Sequence, residues 1–208
     1  MCTIDFSNID AYLFDLGGVI VDISPQAAID AFAALGLSDL ESQITHGHHQ
    51  GLFKRYELGE ISTEGFIDAV QRLLPQAADP QQIVAAWQAM LVNLPSERVA
   101  LLERLAKKRP VYLLSNTNEL HRKAYVSMAK GYDNVEKVFT KAYYSYEIKR
   151  SKPDVAAFNY VLDDVVIPPH RILFLDDAPL NLEAAASLGF QTCKVDAQQT
   201  IIDIFNEI

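Results

Sequence analysis

Residues 11–19, Ala11-Tyr12-Leu13-Phe14-Asp15-Leu16-Gly17-Gly18-Val19, run apolar, then break on a carboxylate and a glycine pair. A run this short, bounded by turn residues, reads as a buried strand rather than a helix. Asp15 then stands at the strand's carboxyl end, and Gly17-Gly18 let the backbone turn closely around whatever binds there. Two later segments repeat the pattern: Val111-Tyr112-Leu113-Leu114 ends on Ser115-Asn116-Thr117, and Ile172-Leu173-Phe174-Leu175 ends on Asp176-Asp177. In an open α/β sheet, ligands bind in the crevice beyond the strand carboxyl ends. Three such strands side by side would deliver these polar groups to one crevice. For Asp176 and Asp177 taken singly, capping of the next helix remains an open alternative.

The rest of the chain supports the same class. From Pro95 onward helical and strand patterns alternate: a helix over 96–108, a strand at 111–114, and a helix starting at Thr117. A short strand lies within 137–148, a helix over 153–162 has Pro153 at its first position, and a strand covers 171–175. A helix over 179–188 stopped by Gly189, a strand over 190–195 and a terminal helix follow. Such alternation predicts an α/β fold, a doubly wound Rossmann-like parallel sheet core. Residues 23–94 differ, with helical patterns over 25–35, 52–58, 62–74 and 81–91 and no convincing strand. The expected organisation is a core of residues 1–22 and 95–208 with residues 23–94 inserted as a helical cap.

Composition narrows the function classes. A net charge of −9 argues against nucleic acid, which requires a basic face. No apolar run approaches the length of a membrane span, and no basic segment precedes the first apolar run, so a cytoplasmic protein is expected. The two cysteines, Cys2 and Cys193, provide no disulfide framework and fit a reducing compartment. A monomer or homodimer is expected.

The acidic cluster sets the chemistry. Two unit charges about 4 Å apart repel by about 4 kcal/mol at an effective dielectric near 20. Asp15, Asp176 and Asp177 gathered in one crevice would need a divalent cation, and hard oxygen ligands select Mg2+. That cation would also draw an anionic substrate to an acidic protein. Ser115-Asn116-Thr117, between a strand and a helix, offers amides and hydroxyls to an anion. Lys152 is a candidate fixed positive charge, although a lysine beside a helix usually faces solvent. His46, His48 and His49 have no cysteine or distant histidine to complete a zinc site. Lys54 or Arg55 of the cap could meet a second anionic group.

Four segments, Phe14-Asp15-Leu16-Gly17-Gly18-Val19, Leu114-Ser115-Asn116-Thr117, Ser151-Lys152-Pro153-Asp154 and Phe174-Leu175-Asp176-Asp177, resemble in order and spacing the motifs of the haloacid dehalogenase superfamily. Ser115-Asn116-Thr117-Asn118 with His121 further resembles a bacterial subgroup of sugar-phosphate-type phosphatases. The resemblance implies a phosphatase of small phosphorylated metabolites in which Asp15 is the nucleophile and forms an aspartyl-phosphate. It implies magnesium held by the Asp15 carboxylate, the Gly17 carbonyl and Asp177, with Asp176 close by or acting through water. It assigns Ser115, Asn116 and Lys152 to the phosphoryl oxygens. Phosphatases of the superfamily commonly carry a second aspartate two residues after the nucleophile as general acid and base, and Gly17 stands there instead. Such help is typically worth ~10²–10⁴-fold, and His121 is the candidate substitute. The alternatives are a dehalogenase on the same scaffold, which needs no metal, and a phosphate-binding or regulatory protein that has lost turnover.

Overall fold

The computed structural model describes residues 4–37 and 51–206. Its centre is a parallel sheet of β1 (Ala11–Phe14), β4 (Val111–Ser115), β5 (Lys141–Tyr144), β6 (Ile172–Asp176) and β7 (Gln191–Lys194), in the order β5-β4-β1-β6-β7. The chain runs outward from β1 first on one side and then on the other, so the topological switch point lies at β1. Side chains alternate between the faces, as the strand period requires. Tyr12, Phe14, Leu113 and Leu175 pack against α5 (Ser96–Ala106) and α10 (Ile201–Ile204). Leu13, Leu114 and Phe174 pack on the opposite face against α8 (Val155–Asp164) and α9 (Pro179–Ser187). Both faces are covered, which is why the central strands read as continuous apolar runs. The doubly wound α/β core is as expected.

Register levels the polar ends. Phe14 pairs with Leu113 on one side and Leu175 on the other, so Asp15 and Asp176 emerge side by side.

Between β1 and β4 lies a helical block with its own core. Here α1 (Pro25–Ala34), α2 (Leu52–Glu57), α3 (Thr63–Leu73) and α4 (Pro80–Gln88) join Phe32, Phe53, Tyr56, Phe66, Val70, Ile83 and Trp87 into one cluster. Local signals set these helices. Ser24 and Ser62 cap α1 and α3, and Asp79 and Gln82 form a capping box at α4. Gly36 and Gly59 take positive φ just past α1 and α2.

The absence of strands in residues 23–94 is corrected. β2 (Asp22–Ile23) and β3 (Leu91–Asn93) form an antiparallel ribbon where the chain enters and leaves the block. Two or three residues are too few to display alternation, and Val92 is 57% exposed, so no apolar signal marked them. The helix expected over 81–91 accordingly ends at Gln88. Asp22, at the ribbon, is held structurally by Arg98 at 2.7 Å. Pro153 is not helical: Asp154 caps α8 through the Ala156 amide, and the helix begins at Val155. Likewise Thr117 precedes the helix it was expected to start. Asn118 is the cap of α6 (Glu119–Tyr125). His46, His48 and His49 lie outside the described residues. No helix among the described residues is long and apolar enough to cross a membrane.

Candidate active site

The sheet's switch point gathers most of the residues singled out from sequence. The Lys152 ammonium sits 2.7 Å from Asp15 Oδ1 and 2.6 Å from Asp176 Oδ2, and its side chain is 1% exposed. A surface lysine is thus replaced by a buried one. Burial alone would lower its pKa, but the charges of Asp15 and Asp176 outweigh that and raise it. Asp15, Asp176 and Asp177 each offer a carboxylate oxygen within 4.8 Å of the others. Burial pushes the Asp15 carboxyl well above the usual carboxylate range, with Lys152 opposing and Asp176 adding to the rise. Desolvation in the crowded crevice also raises Asp177, again with a contribution from Asp176.

The acidic pair divides its labour. Asp176 is fully buried, and both its oxygens already accept hydrogen bonds. Oδ1 takes the Ala178 amide at 2.8 Å, Oδ2 takes Lys152, and the Asn181 side chain donates to both at 3.0 and 3.1 Å. Asp177 is exposed and turned toward the first loop: a Cβ on Gly18, whose φ is +73°, would fall against the Asp177 carboxylate. Only glycine fits that approach. The turn bonds of the first loop use residues 16, 18, 20 and 21 and leave the Gly17 carbonyl out. Asn181 escaped sequence reading. Its signal was a polar residue one short helical step beyond the doublet, which looks like ordinary helix surface.

Ser115, 2% exposed, ends β4 beside this group. The Asn116 side chain is used differently from expectation. Its amide donates to the Lys152 carbonyl at 2.8 Å and its oxygen accepts the Lys152 N–H at 2.9 Å, so it splints the lysine's backbone rather than offering itself to an anion. Ser145 makes a similar tie, accepting the Thr117 amide at 2.9 Å.

His121 does not join the site. Its Nε2 lies 2.9 Å from the Trp87 carbonyl, its Nδ1 3.3 Å from the Asn118 amide nitrogen, and its ring stacks on Trp87 at 4.6 Å. Both nitrogens are occupied, which pins α6 to the helical block and leaves none for a substrate. Burial drives its pKa down to about 4, against the opposing pull of the Trp87 carbonyl. Protonation is therefore penalised in the folded state. The stabilising contribution is complete above the unfolded pKa near 6.5 and is lost as pH falls toward about 4, on the order of 3 kcal/mol. Urea unfolding between pH 7 and 4 should show this slope, and His121→Gln should remove that part of it.

In the helical block, Lys54 Nζ donates to Ser151 Oγ at 2.8 Å, next to Lys152. Arg55 points away and pairs loosely with Glu60 at 3.6 Å.

These features define a class: an α/β protein with a carboxylate–lysine centre at the sheet's switch point, beneath a helical block. The chain belongs to the haloacid dehalogenase-like hydrolase family, whose model matches residues 9–189. It is similar to a D-ribitol-5-phosphate phosphatase of Bacteroides thetaiotaomicron, at 30% identity over 86% of this chain and 88% of that protein. A crystal structure of a family enzyme from Bacteroides thetaiotaomicron, in complex with magnesium and inorganic phosphate, superposes with a TM-score of 0.87. Its identity is 34%, over 95% of this chain and 99% of that one. An (S)-2-haloacid dehalogenase of Pseudomonas putida is 27% identical over 94% of this chain and 89% of that protein.

Proposed function

We propose that the protein is a magnesium-dependent phosphatase of small phosphorylated metabolites, sugar and sugar-alcohol phosphates foremost, acting through an aspartyl-phosphate on Asp15. The observation that carries this reading is the Lys152 ammonium shared by Asp15 and Asp176, with Asp177 left exposed beside them. One lysine leaves most of the charge of three carboxylates uncompensated, and an all-oxygen donor set suits a hard divalent cation. Asp15, Asp177 and the Gly17 carbonyl would hold it, while Asp176 keeps Lys152 in place. The closeness of Gly18 to Asp177 fits a cradle built around such an ion. When bound, magnesium supplies charge neutralisation for the acidic cluster and the phosphoryl oxygens.

The chain's own residues account for the remaining steps. Lys152 and the Ser115 hydroxyl hold the phosphoryl oxygens and lower the repulsion between an anionic nucleophile and an anionic phosphate. Asn116 sets the lysine's backbone. Asp15 attacks phosphorus, and water then releases phosphate from it. The similarity to a D-ribitol-5-phosphate phosphatase supports a polyol or sugar phosphate as the substrate class.

Turnover of p-nitrophenyl phosphate tests this reading. Chelation should abolish it and added Mg2+ restore it. Magnesium at 100 times its Kd should also stabilise the fold by about 2.7 kcal/mol, a rise of roughly 5–10 °C in Tm for a chain of this size. Halide release from a 2-chloroalkanoic acid that survives chelation, with no phosphatase activity, would favour the dehalogenase alternative.

A further inference from the structure

We propose that Glu57 of the helical block is the proton donor to the substrate's leaving oxygen, doing the work for which Gly17 has no side chain. The inference rests on the phosphatase reading above and adds the residue that completes it. A side chain at position 17 is not merely missing. A Cβ there would meet Ile23 Cδ1 at 3.2 Å and Cγ2 at 3.4 Å, so the space beside the first loop is packed with hydrocarbon. A proton donor has to come from elsewhere.

The helical block offers one carboxyl, on α2. Lys54 and Glu57 are neighbours three residues apart on this short helix, 3.9 Å from charge to charge. Lys54 is anchored to Ser151, adjacent to the lysine that holds Asp15. The Glu57 carbonyl accepts the Ser145 hydroxyl at 2.7 Å, and that same hydroxyl holds the Thr117 amide in the loop after Ser115. Lys149 donates to the Gly59 carbonyl at 2.5 Å just beyond. One edge of α2 is thereby fastened over the gap between the 115–117 loop and the 149–152 loop, while Phe53 and Tyr56 on its other side enter the block's core. The Glu57 side chain remains 23% exposed and accepts no hydrogen bond among the described residues. Lys54 is the charged group that faces it; the Lys149 ammonium is engaged at Gly59. Burial raises the Glu57 pKa and Lys54 only partly opposes it, which keeps the acid form populated at higher pH than for a free glutamate.

The step balances. As Asp15 Oδ bonds to phosphorus, the bond from phosphorus to the leaving oxygen breaks, and the Glu57 proton moves to that oxygen to give a neutral alcohol. Water then attacks phosphorus, the aspartate carboxylate being a good leaving group that needs no base, and Glu57 recovers its proton from solvent. That attack breaks the aspartyl–phosphate bond and restores the Asp15 carboxylate.

The test compares two substrates in Glu57→Gln with magnesium present. Ribitol 5-phosphate has a poor leaving group that needs a proton; p-nitrophenyl phosphate does not. The variant should lose about 10²–10⁴-fold in kcat on ribitol 5-phosphate, keep most of its activity on p-nitrophenyl phosphate, and lose the alkaline limb of the alkyl-phosphate pH profile. Retained aryl-phosphate turnover also reports that the variant is folded. Equal losses on both substrates, or no loss on either, would overturn the assignment while leaving the phosphatase reading intact. A wild-type enzyme that turns over neither substrate would remove the phosphatase reading and the assignment with it.

Discussion

Asp15→Asn should lower kcat on p-nitrophenyl phosphate by roughly 10⁴-fold or more, because a neutral amide cannot form the acyl phosphate that divides the reaction into two easier steps. The fold should survive. Asn is isosteric, and the substitution removes one of three carboxylates crowded within 4.8 Å. Metal-free Tm should therefore hold or rise, while the rise produced by magnesium should shrink because a ligand is gone. Steady-state kinetics and thermal unfolding with and without magnesium check the two halves separately. Turnover within tenfold of wild type would mean that Asp15 is not the nucleophile.

Lys152→Met should fail in the opposite way, in stability as well as in rate. The methionine can occupy a similar volume but leaves Asp15 and Asp176 facing each other without the ammonium that now lies 2.7 and 2.6 Å from them. Removing one partner from a buried ionic group typically costs 3–5 kcal/mol, about 6–20 °C in Tm for a chain of this size. Magnesium should recover part of that loss, since a divalent cation also compensates the carboxylates, yet activity should stay absent because the phosphoryl oxygens lose their fixed positive charge. A metal-free Tm within about 2 °C of wild type would show that the buried triad does not hold the loops together.

The two variants separate roles that the linear chain presents as equivalent polar residues at strand ends. Asp176 and Asp177 illustrate the point. Side by side in sequence, they alternate across the end of β6, one pointing into a fully satisfied buried nest and the other into the open crevice. A period of two along a strand makes that division inevitable, but which of the two faces inward depends on where Lys152 and Asn181 arrive. His121 shows the reverse error. Its position next to the second motif was correct, and its ring turned toward the Trp87 carbonyl, a partner 34 residues earlier that no local pattern announces.

Much of the scaffold was written locally. Buried parallel strands need unbroken apolar runs, helices need a regular apolar stripe, and left-handed turns need glycine; these requirements act over a few residues, so β1, β4, β6, the helices of the block and the stop at Gly189 could be read along the chain. The ribbon of β2 and β3, the burial of Lys152, the splinting use of Asn116, the bracing by Asn181 and the tie from Lys54 to Ser151 could not. Each depends on a charge or hydrogen bond between groups brought together only by tertiary packing. Such interactions are set by distance in space, and their energies grow with the removal of water, which no run of neighbouring residues reveals.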